Sequence, residues 1–178
     1  MVFPATGETV STMVVMTPGR PTTGVLFICL GNICRSPLAE GVFLHLARER
    51  GVADRFRVDS CGMGGWHVGE PPDTRAMAVA RKHGVHLPSR ARRFDPPGDW
   101  ERFHWLVAMD LANQRDLLRE GAPKDRVRLL RSFDPALAGR HEQDLEVPDP
   151  YYGADGGFDE VFAMVRAACE GLLEALAG

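Results

Sequence analysis

A cysteine and an arginine six positions apart, Cys29 and Arg35, stand in the run Val25-Leu26-Phe27-Ile28-Cys29-Leu30-Gly31-Asn32-Ile33-Cys34-Arg35-Ser36-Pro37. A loop curling between them puts a thiol at its floor and a guanidinium at its rim, which makes a phosphate cradle with a nucleophile in it. Inward backbone N–H groups from Leu30, Gly31, Asn32, Ile33 and Cys34 would form an anion nest. The helix after the loop would add its positive end, and Arg35 a fixed charge able to grip two oxygens. Such surroundings favour a thiolate at Cys29. Ser36 is placed to donate its hydroxyl to that sulfur. Gly31 and Asn32 are residue types that tolerate positive φ, as a loop turning its amides inward requires.

The elements that must hold this loop follow from hydrophobic spacing. Val25 to Cys29 reads as a short buried strand, and Ser36-Pro37 as the opening of a helix running to about Arg50 and stopped by Gly51. Phe56 to Ser60 predicts a second strand. The glycine-rich segment from Cys61 to Gly69 predicts a loop over the site, and it carries Trp66 and His67. Asp73 is a good cap for a helix over Thr74 to His83, and Ser89 to Asp99 reads as irregular. His104 to Met109 predicts a third strand, Leu111 to Glu120 a third helix and Val127 to Leu130 a fourth strand. A long polar loop over Arg131 to Pro148 precedes a last helix from Phe158 to Ala177, whose apolar stripe takes in Cys169 and Leu176. This alternation predicts an α/β three-layer sandwich around a central four-stranded parallel sheet, flavodoxin-like, with the phosphate-binding loop after strand one.

Composition bounds the rest. With 178 residues there is one full core, and residues 24–178 read as a single domain behind a flexible extension, residues 1–23, in which Met13 and Met16 allow the hypothesis of a later translation start. A net charge of −3 and a pI near 6.1 give no reason to seek nucleic acid, and no apolar run is long enough to span a membrane. Arg90, Arg92 and Arg93 read as a solvated basic edge. Cysteines at 29, 34, 61 and 169, with no Cys-x2-Cys pair, argue against zinc and against a secreted disulfide scaffold, so a reducing cytoplasm is expected. No metal and no cofactor is expected, since Arg35 and the loop amides supply the positive field.

From Val25 to Glu40 the chain resembles the signature loop of the low-molecular-weight protein tyrosine phosphatases almost residue for residue. The likeness continues through Asp59-Ser60, Gly65-Trp66-His67-Val68-Gly69, His83-Gly84, Met109-Asp110 and Asp149-Pro150-Tyr151-Tyr152-Gly153. The resemblance implies Cys29 as nucleophile, Arg35 as phosphate clamp and Asp149 as general acid for the leaving oxygen. It implies an aromatic cleft walled by Trp66, Tyr151 and Tyr152, and a loop held in shape by Asn32, Ser36 and Ser60. A histidine of that supporting network in well-studied members falls where this chain has Arg90. The resemblance also implies a reversible Cys29–Cys34 disulfide, beside the plainer reading that Cys34 packs under the loop.

The expected activity is hydrolysis of phosphotyrosyl monoesters in protein substrates, by a monomer or weak dimer. A protein-arginine phosphatase is the nearest alternative, but phosphoarginine enzymes of this type place Thr where Ile33 stands and lack the paired tyrosines. An arsenate reductase on the same fold would need further relay cysteines, and none lies between Cys61 and Cys169. A phosphotyrosine-binding module without activity would be expected to have lost Cys29 or Asp149.

Overall fold

The computed structural model describes residues 22–153 and 157–178. The expected extension lies almost wholly outside them. Four strands, β1 (Thr23–Cys29), β2 (Phe56–Gly62), β3 (Trp105–Ala108) and β4 (Val127–Leu129), form one parallel sheet in the order β2-β1-β3-β4. Around it lie α1 (Arg35–Glu49), α2 (Thr74–Lys82), α3 (Gly98–Arg102), α4 (Leu111–Arg119) and α5 (Gly157–Ala177).

The central strand explains the layering. Alternate side chains of β1 leave opposite faces, so Val25, Phe27 and Cys29 join one core cluster and Leu26 and Ile28 the other. The first cluster is filled by α1 and α5, including Phe43, Val165 and Leu172. The second takes Phe103, Leu106 and Leu117, with Trp100 of α3 packed against it. Because both faces are covered, β1 reads as a continuous apolar run rather than an alternating one.

Helix ends follow local chemistry. Gly51, at φ 68°, stops α1: its N–H donates to the Arg48 carbonyl and that of Val52 to Ala47. Gly84 does the same for α2, while the Asp73 carboxylate caps the start of α2 by accepting from the Arg75 N–H at 2.8 Å.

Several boundaries differ from expectation. Strand β2 runs two residues further, to Gly62, because Cys61 and Gly62 pair with Ile28 and Cys29. Residues 89–99 are less irregular than their prolines suggest, since α3 begins at Gly98 and Arg93 bridges to Gly62. The polar stretch from Arg131 is punctuated by short 3-10 turns at Leu130–Phe133, Pro135–Leu137 and Glu142–Leu145. Leu176 lies only partly buried against the core. No helix among the described residues is long and apolar enough to cross a membrane.

The chain leaves β1 toward β2 on one side and later returns to add β3 on the other. That reversal opens a crevice at the carboxyl ends of β1 and β3. The Cys29 loop leaves β1 at that point.

Candidate active site

Between β1 and α1, residues 30–34 curl over the Cys29 sulfur. Asn32 is the one described non-glycine residue at positive φ, 56°, and this turn lets its N–H donate to Cys29 Sγ at 3.2 Å. Gly31, expected to share that conformation, does not adopt it. Its lack of a side chain serves close approach instead, since a Cβ there would stand 3.2 Å from the ring of His67. Ser36 Oγ lies 3.0 Å from Cys29 Sγ. The sulfur thus meets a hydroxyl and an amide N–H just before the first turn of α1.

A buried polar network fixes this curl from beneath. Asn32 Nδ2 donates to Ser36 Oγ at 2.8 Å and to Ser60 Oγ at 2.9 Å, and Asn32 Oδ1 accepts from the Arg92 N–H at 2.9 Å. Ser60 and Ser89 both donate to Glu40 Oε2 at 2.6 Å. Burial pushes the Glu40 carboxyl above its usual range, against the two hydroxyls that favour its charge. Arg90, the expected counterpart of the network histidine, reaches instead to the Gly69 carbonyl at 3.0 Å. Ser89 is the residue that faces Glu40, because the extended chain there turns alternate side chains inward.

Arg92 is not part of a solvated edge. Its guanidinium pairs with Asp59 at 2.9 Å and with the wholly buried Asp99 at 3.0 Å. Its backbone meanwhile reaches the loop. Burial opposes its charge, but Asp99 and the neighbouring acids outweigh this and raise its pKa.

At the rim, Arg35 is 3% exposed. Nη1 donates to Asp110 Oδ2 at 2.6 Å and to the Val147 carbonyl at 3.1 Å, and Nη2 donates to Asp149 Oδ2 at 3.2 Å. Burial works against this guanidinium, yet Cys29, Asp110 and Asp149 together hold its pKa above the ordinary value. Asp110 also caps α4, accepting from the Asn113 N–H at 2.7 Å.

A cavity of about 350 Å³ opens over the sulfur. Its floor and rim are Cys29, Leu30, Gly31, Ile33, Cys34, Arg35 and Asp149. Trp66, His67, Tyr151 and Tyr152 line it as well. The two tyrosine rings meet edge to face at 4.8 Å, and Trp66 and Tyr152 stand largely exposed. An apolar slot ending in a cationic cradle suits a flat ring bearing a phosphoryl group.

A model of the low molecular weight phosphotyrosine protein phosphatases matches residues 24–178. The chain belongs to this family. A low molecular weight protein-tyrosine-phosphatase of Streptomyces coelicolor is 48% identical over 160 residues, which cover 87% of this chain and 94% of the relative. The crystal structure of a protein tyrosine phosphatase from Entamoeba histolytica superposes with a TM-score of 0.79 at 33% identity, covering 88% of this chain and 97% of that one. A Drosophila arginine phosphatase superposes with a TM-score of 0.76 at 30% identity, covering 86% and 98%.

Of the residues singled out from the sequence of this phosphatase-family chain, Cys29, Leu30, Gly31, Ile33, Cys34, Arg35, Trp66, Asp149, Tyr151 and Tyr152 line this cavity and Asn32, Ser36 and Ser60 lie in the network beneath it, whereas Arg90 turns away to Gly69. Sequence reasoning assigned no role to Asp110, Glu40 or Ser89 and missed the inner role of Arg92. Two had a readable signal. Asp110 follows β3 at the carboxyl edge, where α/β sites form. Glu40 lies four residues after Ser36, on a face of α1 that is otherwise apolar, where a charge needs a partner. Cys34 is buried, and burial first, then Asp73, pushes its thiol up to about 12.

Proposed function

We propose that this chain is a protein-tyrosine phosphatase that works through a cysteinyl-phosphate. Cys29 is the nucleophile, Arg35 the phosphate clamp and Asp149 the general acid and base. The observation that carries this reading is the convergence on one cavity of a sulfur met by Ser36 Oγ and the Asn32 N–H, a buried arginine, an accessible carboxyl and aromatic walls.

In the first step the Cys29 thiolate forms a bond to phosphorus as the bond to the tyrosyl oxygen breaks. That oxygen takes the electron pair and a proton from Asp149. The loop amides and Arg35 hold the three equatorial oxygens throughout. In the second step Asp149, now a carboxylate, takes a proton from water. The water oxygen bonds to phosphorus, and the Cys29 sulfur leaves as a thiolate. Ser36 Oγ stabilises that thiolate both as nucleophile and as leaving group.

Leu30, Gly31, Asn32, Ile33, Cys34, Arg35 and Ser36 are assigned to the phosphate-binding loop. Asn32, Ser36 and Ser60 support it, and Trp66, Tyr151 and Tyr152 form the wall for the ring. Cys34 is assigned the resolving thiol. Peroxide oxidises Cys29 to a sulfenic acid, the Cys34 sulfur displaces water from it, and the disulfide shields Cys29 from further oxidation. A reducing cytoplasm is the working place proposed, since the Cys29 thiol has to stay reduced to act. The active species is read as a monomer or weak dimer.

The test is phosphate release from a phosphotyrosyl and a phosphoarginyl peptide side by side, with Cys29→Ser as the blank. Release from phosphotyrosine, abolished in the blank, is the expected result. Preference for phosphoarginine would keep Cys29 and Arg35 in their roles and overturn the specificity read from Ile33, Trp66, Tyr151 and Tyr152.

A further inference from the structure

The segment carrying Asp149 and the two tyrosines leaves an anchor at buried Val147, whose N–H donates to the Met109 carbonyl at 2.8 Å. Pro150 is buried, the Tyr151 N–H turns back to Asp149 Oδ1 at 3.1 Å, and the Gly153 N–H reaches the Pro150 carbonyl at 3.2 Å. These bonds fix its internal shape without fixing its place. Its bond across the cavity is the 3.2 Å contact of Asp149 with Arg35. A bound phosphoryl dianion would compete for that same guanidinium, so the contact weakens when placement of the acid matters most.

A second arginine offers a tie that substrate does not disturb. Arg75 Nη1 donates to the Tyr151 carbonyl at 3.2 Å, and its guanidinium lies 5.5 Å from the centre of the Tyr151 ring and 4.7 Å from that of Phe158 at the start of α5. The guanidinium is aimed by a two-pronged pair with Asp73, Nε to Oδ1 at 3.0 Å and Nη2 to Oδ2 at 2.9 Å. Asp73 in turn is fixed to the phosphate loop, its N–H donating to the Ile33 carbonyl at 2.7 Å. One relay therefore runs from the Ile33 carbonyl through Asp73 and Arg75 to the Tyr151 carbonyl. It joins two stretches that line the cavity through Asp73 and Arg75, which do not line it themselves.

We propose that Arg75, aimed by Asp73, is a positioning residue that sets the distance between the phosphate loop and the Asp149 segment, and so places the proton donor at the leaving oxygen. This rests on the reading of Asp149 as general acid. Arg75 touches no reacting atom. Its loss should be felt only where the leaving group needs a proton.

Two substrates separate this role from a merely structural one. Phenyl phosphate loses a strongly basic oxygen and needs the acid, whereas 2,4-dinitrophenyl phosphate loses a weakly basic one and does not. The quantity to follow is kcat/KM, which reports the first phosphoryl transfer. Arg75→Ala is expected to lower it about tenfold for phenyl phosphate and to leave it within about twofold for the dinitrophenyl ester. Arg75→Lys, which keeps the charge and the fold but not the fork, should show the same selective loss in smaller measure.

In an Asp149→Asn background, Arg75→Ala should have no further effect on phenyl phosphate. Equal losses on both esters, no loss on either, or a further full loss in the Asp149→Asn background would overturn the proposal while leaving Asp149 in place. Equal losses from Asp149→Asn alone on the two esters would overturn the acid role itself, and that of Arg75 with it.

Discussion

Arg35 meets two carboxylates at once, and they are not equivalent. Asp149 is the more exposed and is free to part from it, whereas Asp110 lies lower, with its second oxygen capping α4. Asp110 thus fixes the Arg35 guanidinium from a side chain that is itself tied to α4. Asp110→Asn keeps an oxygen for the helix cap, since Asn caps about as well as Asp, but replaces the ion pair with a neutral contact. We expect a loss in kcat/KM of about 10- to 100-fold with an almost unchanged melting temperature. An unchanged kcat/KM would show that the Val147 carbonyl alone suffices to orient Arg35. Glu40 makes a prediction about pH. Because its folded pKa is raised, its contribution to stability is complete below the ordinary carboxylate range and is lost as pH rises through the raised value. Gln does not titrate, so the melting-temperature gap between the natural chain and Glu40→Gln should narrow in favour of Gln as pH rises above about 4; a constant gap would mean that Glu40 ionises alike folded and unfolded. At Cys34, replacement by Ser should leave turnover near normal but make loss of activity under peroxide harder to reverse with a thiol. Equal recovery in both proteins would leave Cys34 as packing alone.

At the scale of elements, the phosphate loop is shaped by the strand beside it. The Met63 N–H donates to the Cys29 carbonyl and that of Gly64 to Leu30, so residues 62–64, at the end of β2, form a shelf under the loop. A Cβ on Gly62 would stand 2.8 Å from the Leu30 oxygen, 3.0 Å from Gly31 C and 3.1 Å from Asn32 N. All three are backbone atoms and cannot step aside as a side chain would. Gly62→Ala should therefore displace the loop, with a fall in kcat/KM on the order of 10²-fold in a protein that still folds. Gly171, in the middle of α5, is the contrasting case: a Cβ there would collide with the Phe133 carbonyl in the turn after β4. That contact is far from the cavity, so Gly171→Ala should cost about 1–3 kcal/mol in a urea melt and leave turnover per folded molecule unchanged. The extension of β2 to Gly62 was hidden in the sequence because Gly62-Met63-Gly64-Gly65 carries the composition of a loop. Only pairing with β1 makes its first residue a strand position.

For the molecule as a whole, the sheet begins at Thr23, both core clusters are built by residues from Val25 onward, and the family match begins at residue 24. We therefore keep residues 1–23 as an extension and residues 24–178 as the domain, and expect a chain starting at Thr22 to melt within about 2 °C of the full chain with equal kcat/KM. A larger drop would place part of the extension in the domain. The central sheet was legible because a strand covered on both faces must be apolar throughout, as Val25 to Ile28 are, and because helix stops such as Gly51 and Gly84 mark themselves. Cys29, Arg35 and Ser36 were legible because they flank one five-residue loop, where spacing along the chain is spacing in space. The tertiary structure alone decided what lies beneath and around that loop. Ser89 rather than Arg90 turns inward to Glu40, and Arg92 leaves the surface for Asp59 and Asp99. Asp110 reaches Arg35 across 75 residues, and Arg75 reaches Tyr151 across 76. Such partners come from different crossovers of a parallel sheet, so their meeting depends on strand order and register, which no local spacing records.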